Sequence, residues 1–298
     1  MKQEIADREW EMLLRRIRLG KCTPFLGAGA CYGVLPLGAD LAAEWAERVR
    51  YPLDDRHDLA RVAQYLAIRY DGVYPKDLII DRFRDAGLPD FMEPDEPHAV
   101  LADLPLKVYL TTNYDDFMTR ALRRVGKEPK REYYRWNAYV RKKTSIFDTK
   151  DGFQPTPESP LVFHLHGHNE DEQSIVLTEE DYLDYLVNLS RENYELPKPV
   201  QLAISGSSLL FVGYSLTDWS FRVLFRGLVT ANEGSQRHVS ITVQLPPPSP
   251  DVGAEEQRRI QQYLSDYFKR SDMTVYWGTA RQFMAELRKR WNEFQNGS

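Results

Sequence analysis

The chain has 298 residues, of which 42% are hydrophobic, and this is enough to bury one large core or two smaller ones. Its formal net charge of -5 excludes a general attraction to nucleic acid or to an anionic membrane. The only cysteines, Cys22 and Cys31, exclude a disulfide framework and a four-thiolate zinc module. The first ten residues carry acids where a signal peptide is basic, and no apolar run approaches about 18 residues, so we expect a soluble, cytoplasmic protein.

Helices and strands alternate along most of the chain. Apolar residues at helical spacing predict helices at 6–19, 39–50, 58–70, 114–125, 179–189, 217–230, 254–270 and 279–294. Short apolar runs between them predict strands at 23–27, 107–113, 161–167, 208–215, 238–245 and 273–278. Several of these runs are nearly continuous, which is typical of parallel strands buried on both faces. We therefore predict an α/β fold with a doubly wound, Rossmann-like parallel sheet and helices on both faces.

Two segments depart from this alternation. Residues 48–103 are helical without a convincing strand, which predicts a helical insertion that could cap a cleft. Residues 127–160 are irregular, with Y-Y-R-W-N as a candidate strand and D-G-F-Q-P-T-P-E-S-P as a loop. We predict a single domain over residues 1–298 that contains both insertions.

Ligands of open parallel sheets bind beyond the carboxyl ends of the strands, and the first two strand ends are unusual. The first is G-A-G-A, from Gly27 to Ala30, where glycine lets the backbone come close to a phosphate; an ordinary tight turn is the alternative. The second is T-T-N-Y-D-D, from Thr111 to Asp116. Its Asn113 is either a site residue or the N-cap of a helix that starts at Tyr114.

The other two strand ends are also rich in polar or small residues. The third is H-L-H-G-H, in which a period of two places His164 and His166 on one face, so that a metal site and buried structural histidines are both open. The fourth is G-Y-S-L-T-D, from Gly213 to Asp218, which suits a ribose or phosphate oxygen. A helix cap formed by Ser215 or Thr217 is the alternative there.

The four motifs, taken in this order, resemble the nucleotide-site motifs of the sirtuin family. Sirtuins carry G-A-G-[IA]-S, T-Q-N-[IY]-D, L-H-G and G-[TY]-S-L, and the similarity covers residues 23–225. The spelling T-N-Y-D and G-Y-S-L-x-D is more similar to the sirtuin-like branch of bacterial anti-phage defence proteins than to deacetylases. This resemblance implies hydrolysis of NAD to nicotinamide and ADP-ribose, which depletes NAD and aborts the infection.

Departures from the deacetylase pattern weaken the interpretation as a protein deacetylase. The four-cysteine zinc module of deacetylases is missing, and G-V-L-P-L-G-A-D stands in place of G-I-P-D-F-R. Cys31 occupies the position of the serine in G-A-G-x-S.

The resemblance also implies roles for individual residues. Asn113 would position the nicotinamide ribose and the attacking water, Asp115 would hold that loop or the carboxamide, and His166 would be the general base. A histidine with an unperturbed pKa of about 6.5 suits such a base at neutral pH. No metal is expected to take part. The expected NAD-contacting residues are Gly27, Ala28, Gly29, Thr112, Gly213, Ser215 and Asp218.

An unrestrained NADase is toxic to its host, and the catalytic fold takes up nearly all of the chain, so we expect control from outside it. The resemblance implies homo-oligomerisation and a separately encoded HerA-like hexameric ATPase as partner. Residues 120–143 form a local basic patch with interleaved aromatic residues. Such a patch can track nucleic acid, but a solvated helix end or an inter-subunit surface is the more ordinary interpretation.

Three other functions are compatible with the sequence. A metal-dependent hydrolase would use His164, His166 and Asp115 or Asp116, and would need a divalent ion. A nucleotide sensor would bind NAD or ADP-ribose without turnover. A zinc-free deacylase would require an acylated peptide for turnover.

Overall fold

The computed structural model describes residues 5–148, 152–189, 196–215, 240–245, 253–270 and 272–297. Its seven strands lie close to the predicted apolar runs, except for the third. They are β1 (Cys22–Leu26), β2 (Val108–Thr111), β3 (Lys130–Tyr133), β4 (Leu161–His164), β5 (Ser208–Val212), β6 (Ser240–Gln244) and β7 (Met273–Trp277).

Helices precede, separate and follow these strands. They are α1 (Asp7–Arg18), α2 (Gly38–Val49), α3 (Leu59–Arg69), α4 (Tyr74–Asp85), α5 (Pro97–Ala102), α6 (Phe117–Arg124), α7 (Ala138–Arg141), α8 (Glu179–Leu189), α9 (Lys198–Ser205), α10 (Ala254–Lys269) and α11 (Ala280–Asn296). The last of them shows how local sequence sets a boundary. Thr279 and Gln282 cap the first turn of α11 reciprocally, each side chain accepting from the other's backbone N–H.

All strand pairs are parallel, and their order across the sheet is β3-β4-β2-β1-β5-β6-β7. From β1 the chain builds β2, β3 and β4 on one side, and then returns to place β5, β6 and β7 on the other. The direction of winding therefore reverses next to β1. This reversal is the topological switch point, where doubly wound sheets form a crevice outside the carboxyl ends of the strands. The predicted fold class is confirmed.

Both faces of the sheet are buried. Leu26, Leu210 and Val212 belong to one hydrophobic cluster, which includes residues of α1, α5, α6 and α11. Phe25 and Phe211 belong to a second cluster, which includes residues of α8, α9 and α10. Neighbouring residues of one strand thus enter opposite cores, because side chains alternate across a strand. This explains why the strand sequences are continuously apolar.

The interval 48–103 holds α3, α4 and α5 and no strand. Its helices α3 and α4, together with α2, bury a separate cluster around Trp45 and Leu66, which continues to Tyr114 and Ile175. Lys76 Nζ on α4 lies 3.0 Å from the Asp181 carboxylate on α8. The helical insertion is therefore attached to the segments that follow β2 and β4.

Three sequence-based boundaries need correction or fall outside the described chain. The candidate strand Y-Y-R-W-N is wrong, because β3 ends at Tyr133, where that strand was expected to begin. An apolar pattern does not reveal β3, because the strand contains Lys130, Arg131 and Glu132. Charged residues of this kind are common on edge strands. Helix α6 begins at Phe117 instead of Tyr114. The helix predicted at 217–230 lies outside the described residues.

None of the described helices combines the length and the apolar character that crossing a membrane requires.

The burial of Leu287 in α11 gives a test of this packing. Leu287 is fully buried and Leu183 in α8 is 59% exposed. We expect Leu287→Ala to lower the free energy of unfolding by about 2–5 kcal/mol, because it leaves a cavity. Leu183→Ala should change it by less than about 0.5 kcal/mol. Urea denaturation measures both variants, and equal losses would contradict the assigned packing.

Candidate functional site

The four strands that carry the motifs are neighbours in the sheet. They occupy the consecutive positions β4-β2-β1-β5, so that their carboxyl ends lie side by side at the switch point. The sequence order of the motifs does not reveal this adjacency, because β5 follows β4 in the chain but is separated from it in the sheet by β2 and β1.

Hydrogen bonds join the ends of β1, β2 and β5. The Thr112 N–H donates to Leu26 O at 3.0 Å. The Thr112 hydroxyl donates to the Tyr214 hydroxyl at 3.1 Å, and Tyr214 donates in turn to Leu26 O at 3.0 Å. Thr112 and Tyr214 thus fix the spacing of the three loops.

The glycine loop packs directly against the loop after β5. Gly27 N–H donates to Val212 O and Gly29 N–H donates to Gly213 O, both at 2.9 Å. Both glycine amides are therefore engaged within the protein. Ala28 is the exposed residue of this loop. The glycines are needed first for close approach of two backbones.

Gly213 has a φ of +81° and cannot be replaced without conflict. A Cβ at this position would overlap the Ala30 amide nitrogen and would lie 2.7 Å from the Gly29 carbonyl carbon. A Cβ on Gly27 would lie 2.8 Å from Gly213 O. Contacts this short are possible only without side chains.

Asn113 is buried between the β1 and β2 loops and does not cap α6, which begins four residues later. Its side-chain Nδ2 donates to Gly27 O at 3.1 Å and to Cys31 Sγ at 3.2 Å. Its backbone O accepts from His164 Nδ1 at 2.9 Å. With both amide hydrogens engaged, the side-chain Oδ1 is the group that can accept from a ligand.

Asp115 belongs to a buried cluster that the sequence analysis did not find. Its Oδ1 accepts from the Phe117 N–H at 2.9 Å, and its Oδ2 accepts from the Cys31 thiol at 3.3 Å. Burial raises the pKa of that thiol and the Asp115 carboxylate raises it further, so the sulfur carries its proton. His98 Nε2 lies 3.9 Å from Cys31 Sγ, and His98 Nδ1 lies 2.7 Å from Glu96 Oε1.

His98 and Glu96 were missed because they lie in the helical insertion, about 65 residues from Cys31 in the sequence. The turn E-P-H at the start of α5 suggests only a helix boundary. The insertion therefore supplies His98 and Glu96 to the buried cluster.

The three histidines after β4 have different surroundings. His164 is oriented by its bond to Asn113 O, and its ring packs edge-to-face with His168 at 4.7 Å between centroids. The ring of His166 packs edge-to-face with Tyr182 and Tyr185 at 5.4 and 5.1 Å. In the described part of the chain, no group hydrogen-bonds the ring nitrogens of His166.

Burial disfavours the charged form of all three rings. It lowers the pKa of His164 to about 4, of His166 to about 3 and of His168 to about 2. These rings are therefore neutral at pH 7. His166 differs in this respect from the unperturbed base expected from the sequence.

The rival metal arrangement of His164, His166 and Asp115 or Asp116 is not formed among the described residues. The group of His, Cys and carboxylate ligand atoms that lies close together there is Cys31, His98 and Asp115.

A cavity of about 960 Å³ lies beside the cluster, between the insertion and the segments after β2 and β4. Asp115 and Asp116 line it, whereas Gly27, Asn113 and His166 lie outside its wall. Six carboxylates and three cations line the cavity, which makes it unfavourable for an anion and favourable for a cation.

The last predicted site residues lie at the edge of the described chain. Ser215 is exposed, immediately before the segment that is not described. Asp218 falls within that segment, so its position relative to the other strand ends lies outside the description.

Four cations of the basic patch at 120–143 form ion pairs with acids of the same chain. Its ion pairs are Arg120 with Asp116, Arg131 with Glu170, Arg135 with Asp148 and Lys143 with Asp171. Carboxylates of the same chain therefore neutralise the patch in part.

The sheet order and the crevice beside β1 define a doubly wound α/β protein of the Rossmann type. The family model described as SIR2-like domain matches residues 107–270, which is more than half of the chain. The chain therefore belongs to the SIR2-like domain family, as its motifs indicated.

Similar curated proteins carry the name NAD(+) hydrolase ThsA. The protein of Bacillus cereus (strain MSX-D12) is 25% identical over 262 residues, covering 84% of this chain and 50% of the relative. The protein of Acinetobacter baumannii (strain 532279) is 26% identical over 288 residues, covering 88% of this chain and 54% of the relative. The chain thus spans about half the length of the curated relatives it matches.

A solved structure described as "Structural Basis for the Mechanism and Regulation of Sir2 Enzymes" is 13% identical to this chain. It covers 97% of this chain and 98% of its own, with a TM-score of 0.42. The fold assignment rests on the sheet order and the family match.

The contact between Gly213 and the glycine loop predicts a specific stability defect. Gly126, with a φ of +79° and open space around it, is a matched control. We expect Gly126→Ala to cost about 1–2 kcal/mol from backbone strain alone. Gly213→Ala should cost about 1–3 kcal/mol more, because its Cβ overlaps the neighbouring loop. Equal losses in urea denaturation would contradict the close contact.

The buried histidines predict a fall in stability at mildly acidic pH. Between pH 6.5 and about 3 the unfolded chain protonates His166 and the folded chain does not, so the free energy of unfolding falls as pH falls. The contribution of one histidine approaches about 1.4 kcal/mol per pH unit. We expect His166→Gln to flatten the slope measured between pH 6.5 and 5, whereas His57→Gln, at an exposed position, should preserve it. An unchanged slope in His166→Gln would contradict the burial effect.

Proposed function

We propose that this chain hydrolyses NAD at the nicotinamide–ribose bond, giving nicotinamide, ADP-ribose and a proton from NAD and water. The observation that carries the proposal is the placement of Asn113 at the switch point, held by hydrogen bonds to Gly27, Cys31 and His164. The names of the ThsA relatives support NAD as the substrate.

Asn113 would act through its side-chain oxygen. Because its Nδ2 is bound to Gly27 O and Cys31 Sγ, the amide cannot rotate without losing two hydrogen bonds. Oδ1 is thereby held ready to accept from a ribose hydroxyl or from the attacking water. Such fixed positioning lowers the barrier, since no reorganisation is needed during the reaction.

His166 would accept the proton of that water or hydroxyl. Its ring is neutral and lies against Tyr182 and Tyr185, so its orientation is restricted by packing. The low pKa makes it a weak base in the unliganded protein. A weak base is sufficient if bond cleavage runs ahead of attack by water, because the oxocarbenium-like carbon then acidifies the water.

The remaining predicted residues would bind the rest of NAD. Ala28 is the exposed member of the glycine loop and would place its N–H near the pyrophosphate, with Gly27 and Gly29 allowing close approach. Thr112, Gly213, Ser215 and Asp218 would contact ribose or adenosine. Asp115 would hold the Asn113 loop through its bond to Cys31.

Control of the reaction is part of the proposal. We propose that homo-oligomerisation and a partner such as a HerA-like hexameric ATPase control the reaction, as the sirtuin-like resemblance implies. The same resemblance implies a role in anti-phage defence. Light scattering combined with NAD consumption tests the assembly; a monomer that is fully active alone would contradict it.

Loss of either proposed catalytic side chain should abolish turnover without unfolding the protein. We expect His166→Ala to lower NAD cleavage by about 10²- to 10⁴-fold, as is typical of removing a general base. Asn113→Ala should do the same, whereas His57→Ala should leave the rate unchanged. The assay is release of nicotinamide by purified protein, with circular dichroism as the folding control. Substantial turnover in both site variants would overturn the assignment.

No step of the proposed reaction uses a metal ion. We therefore expect a chelator to leave NAD cleavage undiminished, whereas the metal-dependent hydrolase considered above would lose activity. The measurement is the initial rate before and after dialysis against the chelator. A loss that is restored by added divalent ion would favour the metal-dependent alternative.

A further inference from the structure

Three different ligand atoms converge behind Asn113. Cys31 Sγ lies 3.3 Å from Asp115 Oδ2 and 3.9 Å from His98 Nε2. The thiol, carboxylate and imidazole ligand atoms all lie within 4.8 Å of one another. The three residues are 2%, 7% and 1% exposed, so this is a cluster enclosed by the protein and not a group of surface side chains.

The spacing of these atoms approaches a known coordination geometry. Tetrahedral Zn²⁺ with bonds of about 2.3 Å to sulfur and about 2.0–2.2 Å to nitrogen and oxygen holds its ligand atoms roughly 3.3–3.6 Å apart. The sulfur–oxygen distance is already in this range, and the sulfur–nitrogen distance exceeds it by a few tenths of an ångström. Three protein ligands leave the fourth position for water.

Glu96 provides a separate observation that points to a metal. Its Oε1 lies 2.7 Å from His98 Nδ1, and its Oε2 accepts from the Ala99 N–H at 2.6 Å. A carboxylate that accepts from Nδ1–H directs the lone pair of the other ring nitrogen, Nε2, toward the ligand position. Metal-binding histidines are generally oriented by such a carboxylate.

The neighbouring cavity gives a cation a route to the cluster. Asp115 lines that cavity of about 960 Å³ and also contributes Oδ2 to the cluster. The six carboxylates of its wall outnumber its three cations, which raises the local concentration of divalent ions. They are Asp77, Asp115, Asp116, Glu170, Asp171 and Glu172.

We propose that Cys31, His98 and Asp115 form an inhibitory site for Zn²⁺ or a similar thiophilic divalent cation. On binding, the Cys31 thiol releases its proton to solvent and the thiolate coordinates the ion. The thiolate then no longer accepts the hydrogen bond from Asn113 Nδ2, and Asp115 Oδ2 coordinates the ion. The inhibitory effect rests on the function proposed above, whereas binding of the ion does not.

Cobalt binding tests the site without any measurement of activity. Co²⁺ added to the purified full chain under reducing conditions should give a thiolate-to-cobalt charge-transfer band at one equivalent, and Zn²⁺ should displace it. Cys31→Ser should abolish the band. Cys22→Ala removes the other cysteine, which is buried in β1, and should retain it. No band in the wild type, or a band that survives in Cys31→Ser, would overturn the proposal.

Glu96→Gln tests the orienting contact without removing a ligand. Loss of such a carboxylate weakens metal binding by about 10- to 100-fold, and we expect a loss of that size in a competition titration with Zn²⁺. Unchanged affinity would contradict the arrangement. If Cys31→Ser fails to fold by circular dichroism, Glu96→Gln and the wild-type titration still decide the outcome.

The inhibitory effect has a separate readout. One equivalent of Zn²⁺ should suppress nicotinamide release by the wild type and by Cys22→Ala, and a chelator should restore it. Cobalt binding without inhibition would contradict the regulatory role but support the metal-binding site. Cobalt binding by a protein that shows no NAD turnover under any condition would reject the proposed function instead.

Discussion

The close contact between the loops after β1 and β5 is the constraint on which the site depends. Gly27 and Gly29 meet Gly213 so closely that no side chain fits on any of the three. Gly27 N–H donates to Val212 O and Gly29 N–H donates to Gly213 O, so hydrogen bonds join the two loops. Asn113 is bound to the first of these loops through Gly27 O. A shift of this loop would therefore alter one of the contacts that hold the side chain proposed to orient water or ribose.

The same contact explains why the four motifs lie in separate parts of the chain. Doubly wound sheets place strands from the two halves of the chain on either side of β1, and the reversal leaves a crevice there. A loop from each half must then meet at short range. Glycine permits this close approach. Polar residues at the ends of β2 and β4 complete the crevice, where His164 Nδ1 lies 2.9 Å from Asn113 O.

Burial shapes the chemistry of this crevice as strongly as geometry does. It keeps His164, His166 and His168 neutral and holds the Cys31 thiol in its protonated form. An oxocarbenium-like centre in such a surrounding would need fixed dipoles or carboxylates that face it. The oxygen of Asn113 is the group proposed to do so, and Asp115 is proposed to hold the Asn113 loop. Cys31, His98 and Asp115 are also the ligand set proposed for a divalent cation.

Hydrophobic patterning predicts most of the sheet, because β1, β2, β4 and β5 are buried on both faces and their runs are continuously apolar. It fails for β3, where Lys130, Arg131 and Glu132 form an edge strand. Motif spelling singled out Asn113, Asp115 and His166. It gave no sign of His98 and Glu96, since contacts between the insertion and the glycine loop depend on tertiary packing over long sequence separations.

The most direct test of the central claim is to identify the products when the purified chain is incubated with NAD in water that carries a heavy oxygen isotope. The account predicts equal amounts of nicotinamide and ADP-ribose, with one labelled oxygen in the ADP-ribose, and neither product with Asn113→Ala. NAD that binds and is recovered intact, or nicotinamide release without label in the ADP-ribose, would contradict it.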